Sequence, residues 1–235
     1  MTIRIGELEL GANRPRIAVP VDDSVSPERI AEAAEKGMDA VEIRIDRFSR
    51  PERKQAVQYA GGCSKFPTLA TIRSKAEGGA ADLTDSDRLV LFEAVLPYVD
   101  AVDIEVSSIS IAPRVIEIAR STGKTVIASF HDFESTPPLG RLRETVGQGR
   151  QLGADIVKVA TCCGSMEDLR VLARLLIEEE QPLIVVGMGA CAGLSRIFFP
   201  ALGSLLTYSF LDAPVAPGQL SFEETVRLIG QFYPE

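Results

Sequence analysis

Val41-Glu42-Ile43-Arg44-Ile45-Asp46 alternates apolar and charged side chains without a break. Successive side chains on a β-strand point to opposite faces, so Val41, Ile43 and Ile45 share one face and Glu42, Arg44 and Asp46 the other. The same alternation recurs. In residues 101–106, Val102, Ile104 and Val106 oppose Asp103 and Glu105. In residues 125–131, Val126, Ala128 and Phe130 oppose Ile127, Ser129 and His131. Val157 and Val159 oppose Ile156, Lys158 and Ala160, and Ala70 and Ile72 oppose Leu69, Thr71 and Arg73. With helical segments between the strands, the apolar faces pack on helices and the polar faces turn into a shared interior.

Strands are predicted at 16–21, 40–46, 68–73, 101–106, 125–131, 155–161, 183–188 and 204–210. Amphipathic helices are predicted at 26–36, 52–59, 85–97, 112–121, 139–152, 166–179, 194–202 and 222–231. Ser26-Pro27-Glu28-Arg29 and Ser221 before Phe222 and Glu223 are helix-start signals. Eight strand–helix units at this length predict a single (β/α)8 TIM barrel, an α/β fold spanning 1–235. A doubly wound open sheet is the competitor, but it usually carries a glycine-rich loop after its first strand, and V-P-V-D-D-S is not one. Residues 2–10, with Gly6 at the centre, read as a short β-hairpin covering one barrel end.

The 235 residues are 46% hydrophobic and 25% charged, with mean hydropathy +0.12. This composition supports a sizeable core and excludes a disordered chain or a small disulfide-stapled module. The net charge is −8 and the pI near 4.9, against the basic face that sequence-blind nucleic-acid binding needs. No apolar run reaches the roughly 18 residues of a membrane span. The opening M-T-I-R-I-G-E-L-E-L lacks the apolar core of a signal peptide, so a cytoplasmic protein with no membrane or nucleic-acid partner is expected. Cys63, Cys162, Cys163 and Cys191 form no C-x-x-C pair and the chain has one histidine, so free thiols and no metal site are expected.

The polar strand faces bring Glu42, Asp46, Asp103, Glu105, Arg44, Arg73, His131 and Lys158 into the barrel, most near C-terminal strand ends, where barrel enzymes place their chemistry. So many ionisable groups make a costly core unless they serve a site. Lys158, partly desolvated and close to Arg44 or Arg73, is expected to have a lowered pKa, which makes it a nucleophile toward a carbonyl; the competing reading, a lysine neutralised by Glu105 or Asp103, is less favoured beside His131. His131, on the preceding strand and of the same parity, can remove a proton acidified by an imine. Elimination, isomerisation and aldol chemistry all remain open on these residues alone.

Seven segments, read together and in order, resemble the type I 3-dehydroquinate dehydratases, Schiff-base lyases of the shikimate pathway of aromatic amino-acid biosynthesis. They are E-I-R-I-D (42–46), T-I-R-S-K-A-E-G-G (71–79), D-I-E-V (103–106), S-F-H-D-F (129–133), V-K-V-A (157–160), M-G followed by S-R (188–196) and A-P-G-Q (216–219). The resemblance covers essentially the full chain. It implies that Lys158 forms the imine with 3-dehydroquinate, that His131 is the general acid and base, and that Glu77 orients it. It implies further that Arg196 grips the substrate carboxylate, that Glu42, Arg44, Arg73 and Gln219 hold hydroxyls or organise the site, and that Met188 packs nearby. No metal or organic cofactor is implied, and the family suggests a homodimer. The A-P-G-Q segment is expected to close over the ligand.

The chain departs from the family pattern in two serines, replaced by Val215 before A-P-G-Q and Pro20 at the end of the first strand. Ala192 also occupies the usual glycine place, with Gly193 following. Two other readings compete: a class I aldolase acting on a sugar phosphate, with Gly187 and Gly189 as backbone donors, and a non-catalytic protein that binds a small carboxylate through Arg196 and Gln219. A nucleophilic Cys162 or Cys163 is a third, less favoured than thiols that simply pack.

Overall fold

A computed structural model describes residues 3–11, 14–180 and 182–233. Strands β1 (Arg4–Ile5) and β2 (Leu8–Glu9) pair antiparallel as the expected hairpin, and Thr2 of the predicted span lies outside the described residues. Eight parallel strands follow: β3 (Arg16–Val21), β4 (Ala40–Arg44), β5 (Thr68–Thr71), β6 (Ala101–Glu105), β7 (Thr125–Asp132), β8 (Ile156–Cys162), β9 (Leu183–Met188) and β10 (Leu206–Tyr208). Each is followed by a helix: α1 (Pro27–Glu35), α2 (Arg53–Cys63), α3 (Asp85–Val95), α4 (Ala112–Ser121), α5 (Leu139–Leu152), α6 (Met166–Glu178), α7 (Ala192–Phe198) and α8 (Phe222–Phe232). Ser26 and Ser221 cap α1 and α8 through their hydroxyls, as their sequence context requires.

The strands are hydrogen-bonded in the order β10-β3-β4-β5-β6-β7-β8-β9, a nearly closed barrel. No ladder joins β9 to β10. At the N-terminal end of that seam the Leu205 N–H donates to the Leu183 carbonyl at 2.9 Å, and the Val185 N–H to the Ser204 hydroxyl at 3.0 Å.

The parity read from the sequence sorts the side chains into layers. Val41, Ile43, Val102, Ile104, Val126 and Ala128 pack outward with Phe92 and Val115 of the helices, and Val157 and Val159 pack with Leu172 and Leu175. Inside, Ala40, Leu69, Ala101, Ile127 and Ile156 form an apolar floor together with Ile5 and Leu10 of the hairpin segment. Ile5 is fully buried there, a burial that contributes about 2 kcal/mol. The hairpin therefore seals the N-terminal end, and the polar residues of the same strands lie above the floor toward the C-terminal end.

Of the boundaries that differ from the sequence reading, three have a cause visible in the fold. The strand predicted at 40–46 ends at Arg44, and Ile45–Arg47 is a 3-10 turn. Its Asp46 carboxylate accepts from the backbone N–H groups of Arg73 and Ala80, both at 3.2 Å, and this pulls the chain out of the ladder. The strand predicted at 204–210 shortens to Leu206–Tyr208 at the seam, where it has a ladder on one side alone. Helix α2 runs to Cys63, past its predicted end at 59, because Ala60 and Cys63 are buried on its inner face. No helix among the described residues is long and apolar enough to cross a membrane.

Candidate active site

Lys158 stands in the middle of β8, its Cα paired with Ser129 of β7 and Ile184 of β9. Its ammonium lies 3.1 Å from Asp103 Oδ2 and 3.7 Å from Glu42 Oε1, and over the Tyr208 ring at 4.3 Å from the centroid. The expected lowering of its pKa is not what this setting produces. Burial does favour the neutral amine, but the carboxylates of Asp103 and Glu42 together outweigh it, and the net shift is upward. Arg44 and Arg73, expected to repel the ammonium, are spent on other partners. Arg44 grips Asp46 bidentately at 2.9 and 2.7 Å. Arg73 reaches Asp103 and Glu105, each at 2.8 Å.

Behind Lys158 a buried chain of charges crosses the barrel wall. Asp103 accepts from the Ser129 hydroxyl at 2.6 Å, and Glu42 from the Thr71 hydroxyl at 2.7 Å. Glu105 accepts from Arg73, from the Ser108 hydroxyl and from Arg88, which reaches in from α3. Each carboxylate has several donors, which is the condition for tolerating buried charge. Asp103 is held well below the usual carboxylate range because Arg73 and Lys158 outweigh the cost of burial.

His131, near the end of β7, pairs through Nδ1 with Glu77 Oε2 at 3.1 Å, and its backbone N–H donates to the same oxygen at 2.8 Å. Glu77 sits in the 3-10 turn Lys75–Glu77 and also accepts from the Ser107 hydroxyl. Burial pushes the Glu77 carboxyl up to about 7. Burial and the neighbouring Arg73 and Lys158 cations hold the His131 imidazole neutral, well below its ordinary value.

Arg196, on α7, is buried, and its hydrogen bonds go to carbonyls: Nη1 to Gly187 of β9 at 2.6 Å and Nε to Tyr208 of β10 at 3.1 Å. It thereby bridges the C-terminal end of the β9–β10 seam. Among the described residues Arg44, Arg73 and Arg88 all pair with carboxylates, whereas Arg196 is a buried guanidinium with no acidic partner. Burial pulls it down to about 10, so it remains charged at neutral pH.

The nine residues to which the resemblance gives a place in the site (Glu42, Arg44, Arg73, Glu77, His131, Lys158, Met188, Arg196 and Gln219) line one cavity at the C-terminal end of the barrel, whereas Asp46, Asp103 and Glu105, also read as facing inward, are buried and do not line it. Pro20 and Val215, the two departures from the family's serines, line it as well. The A-P-G-Q segment lies across its mouth. Gly218 there has φ +70°, and a Cβ on it would fall 2.2 Å from the Gly189 carbonyl oxygen, so glycine is required for this close approach. Across the mouth Phe133 rests on Gly78, where an added Cβ would meet its ring at 2.6 Å. Tyr208 and Arg88 escaped the sequence reading. Tyr208 lies on a strand with no charged alternation, and an arginine on a helix reads as a solvated one.

The model of the type I 3-dehydroquinase family matches residues 17–233. The chain belongs to that family. A 3-dehydroquinate dehydratase of Aquifex aeolicus (strain VF5) is 37% identical over 223 residues, covering 92% of this chain and 98% of the relative. One from Hydrogenobaculum sp. (strain Y04AAS1) is 34% identical over 224 residues, covering 93% and 99%. The crystal structure of 3-dehydroquinate dehydratase from Geobacillus kaustophilus HTA426 superposes with a TM-score of 0.91 at 28% identity, covering 100% of this chain and 98% of that one. A deoxyribose phosphate aldolase from Aeropyrum pernix, at TM-score 0.61 and 16% identity, shares the fold alone. As a type I 3-dehydroquinase, the chain is a hydro-lyase on a TIM barrel.

Proposed function

We propose that this chain dehydrates 3-dehydroquinate to 3-dehydroshikimate, the shikimate-pathway step, through an imine on Lys158. The observation that carries the reading is a buried guanidinium lacking an anion, Arg196, in the same cavity as Lys158 and the His131–Glu77 pair. A ligand with one carboxylate and one ketone satisfies the two ends together. Planar Arg forks suit carboxylates.

Lys158 rests as an ammonium, so imine formation begins with loss of a proton, and neutral His131 is an acceptor in the same cavity. The nitrogen attacks the ketone carbon, and water leaves to give the imine. The imine withdraws electrons from the adjacent C–H, whose proton passes to His131. The C–H pair becomes the new C=C bond, hydroxide leaves with the proton returned by His131, and water hydrolyses the imine to free Lys158.

Glu77 sets the tautomer of that base. Ionised, it accepts from Nδ1–H and leaves the Nε2 lone pair facing the cavity; protonated, it can donate to Nδ1 and put the hydrogen on Nε2. The working form therefore gains as pH rises through about 7, where Glu77 loses its proton. The wild-type kcat/KM profile is expected to inflect there, and Glu77→Gln to lack that inflection. An inflection near 7 kept by Glu77→Gln would assign it to another group.

Arg196→Ala is expected to raise KM about 10- to 150-fold, the worth of a charge-assisted hydrogen bond, with a smaller effect on kcat. Steady-state kinetics check this, and an unchanged KM takes Arg196 out of the carboxylate site.

Two structural facts weigh against the competing readings. The Gly187 N–H donates to the Ser195 hydroxyl at 3.0 Å and the Gly189 N–H to the Pro217 carbonyl at 2.9 Å, so the donors a sugar phosphate needs are engaged. Cys163 is buried with its thiol pushed up to about 12, far from a thiolate nucleophile, and neither Cys162 nor Cys163 lines the cavity. The test is borohydride reduction with 3-dehydroquinate followed by peptide mass mapping. An adduct on Lys158 is the expected result; none on the folded protein, with substrate intact, rejects the imine route.

A further inference from the structure

Tyr208 is the last residue of β10, 5% exposed, and its side chain lines the cavity. Its hydroxyl is buried and has no hydrogen-bond partner among the described residues. The Lys158 ammonium lies over the ring, 4.3 Å from its centroid. Three other buried side-chain polar atoms, Arg47 Nε, Ser74 Oγ and Ser209 Oγ, share this lack of a partner, and none of those residues lines the cavity.

A buried hydroxyl without a partner is costly, and one kept so beside a nucleophile points to a ligand that completes it. The main chain fixes where it stands. The Tyr208 carbonyl accepts from Arg196 Nε, and the ring covers Lys158 Nζ, so the residue joins the carboxylate anchor to the nucleophile. Burial raises the phenol above its ordinary pKa, so it stays a donor across the working pH range.

Given the imine reading above, we infer that the Tyr208 hydroxyl donates a hydrogen bond to the oxygen of the ketone that Lys158 attacks, making Tyr208 a further catalytic residue. That oxygen is the ligand heteroatom held one bond from the carbon joined to Nζ, and hence the one nearest the ring over which Nζ lies. As the N–C bond forms, the C=O π pair moves to this oxygen, which becomes the carbinolamine hydroxyl by taking the proton that left Lys158. The phenol keeps its own proton. It stabilises the growing negative charge on the oxygen.

Tyr208→Phe removes the hydroxyl and keeps the ring. The variant is expected to lose about tenfold in the rate of borohydride trapping on Lys158 with 3-dehydroquinate, and about as much in kcat/KM. Its ligand-free melting temperature is expected to hold or rise, because an unpartnered buried hydroxyl has been taken away. Trapping and kcat/KM within twofold of wild type overturn the assignment. A fall in melting temperature overturns it too, since it shows a hydroxyl that the folded chain itself uses. Failure of wild type to be trapped defeats the imine reading and this inference with it, whereas equal trapping of wild type and variant defeats this inference alone.

Discussion

Lys158→Ala is expected to abolish borohydride trapping with 3-dehydroquinate and to lower kcat by at least about 10⁵-fold, the scale on which loss of a covalent nucleophile registers. The effect is chemical rather than a failure to fold, because the anions Lys158 leaves behind keep other partners. Asp103 retains Arg73 at 2.8 Å and Ser129 at 2.6 Å. Glu42 retains the Thr71 hydroxyl at 2.7 Å. The variant should also still bind carboxylate ligands, since Arg196 is held by donating to the Gly187 and Tyr208 carbonyls of β9 and β10 and makes no contact that Lys158 supplies. Trapping, single-turnover assays and ligand binding on the same preparation separate these effects. A covalent adduct persisting in the alanine variant would place the nucleophile elsewhere.

His131→Ala should produce a different failure. General acid–base groups contribute about 10²–10⁴-fold, and kcat is expected to fall by that amount. Imine formation needs only some acceptor for the Lys158 proton, and Glu42 at 3.7 Å can serve. Proton removal from carbon has no such substitute, so the variant should accumulate an imine that carries the mass of the substrate after reduction, without loss of the ring hydroxyl. Intact-mass measurement after reduction distinguishes the two species. Full activity in this variant would end the role given to His131.

The barrel and its inward residues were legible because alternation is local. Once Val41, Ile43 and Ile45 must face helices, Glu42 and Arg44 have nowhere to point but inward, and the same holds for Asp103, His131 and Lys158. Which charge meets which was not legible. It depends on strand stagger and side-chain reach across the barrel: the sequence reading favoured the cations Arg44 or Arg73 beside Lys158 over a carboxylate of Asp103 or Glu105, and the fold puts Asp103 and Glu42 there. That exchange reverses the sign of the lysine's shift. Asp46 was read correctly as buried but not as the anchor of a turn, because its partners at Arg73 and Ala80 lie in the next strand–helix unit. Arg88 and Tyr208 were lost for a related reason: each is informative only through a neighbour brought close by the closed barrel, Glu105 for one and Lys158 for the other.

The seam between β9 and β10 gives the ligand a mechanical role. A wall with one unlaced join opens first at that join, and here the clasp at the C-terminal end is Arg196, fastened to Gly187 on one side and Tyr208 on the other. Whatever anion fixes this guanidinium also fastens the wall. Local breathing of β10 and occupancy of the cavity would then be one equilibrium seen from two sides, and a carboxylate bound at Arg196 is expected to slow the exchange of backbone amides along Leu206–Tyr208 with solvent hydrogen.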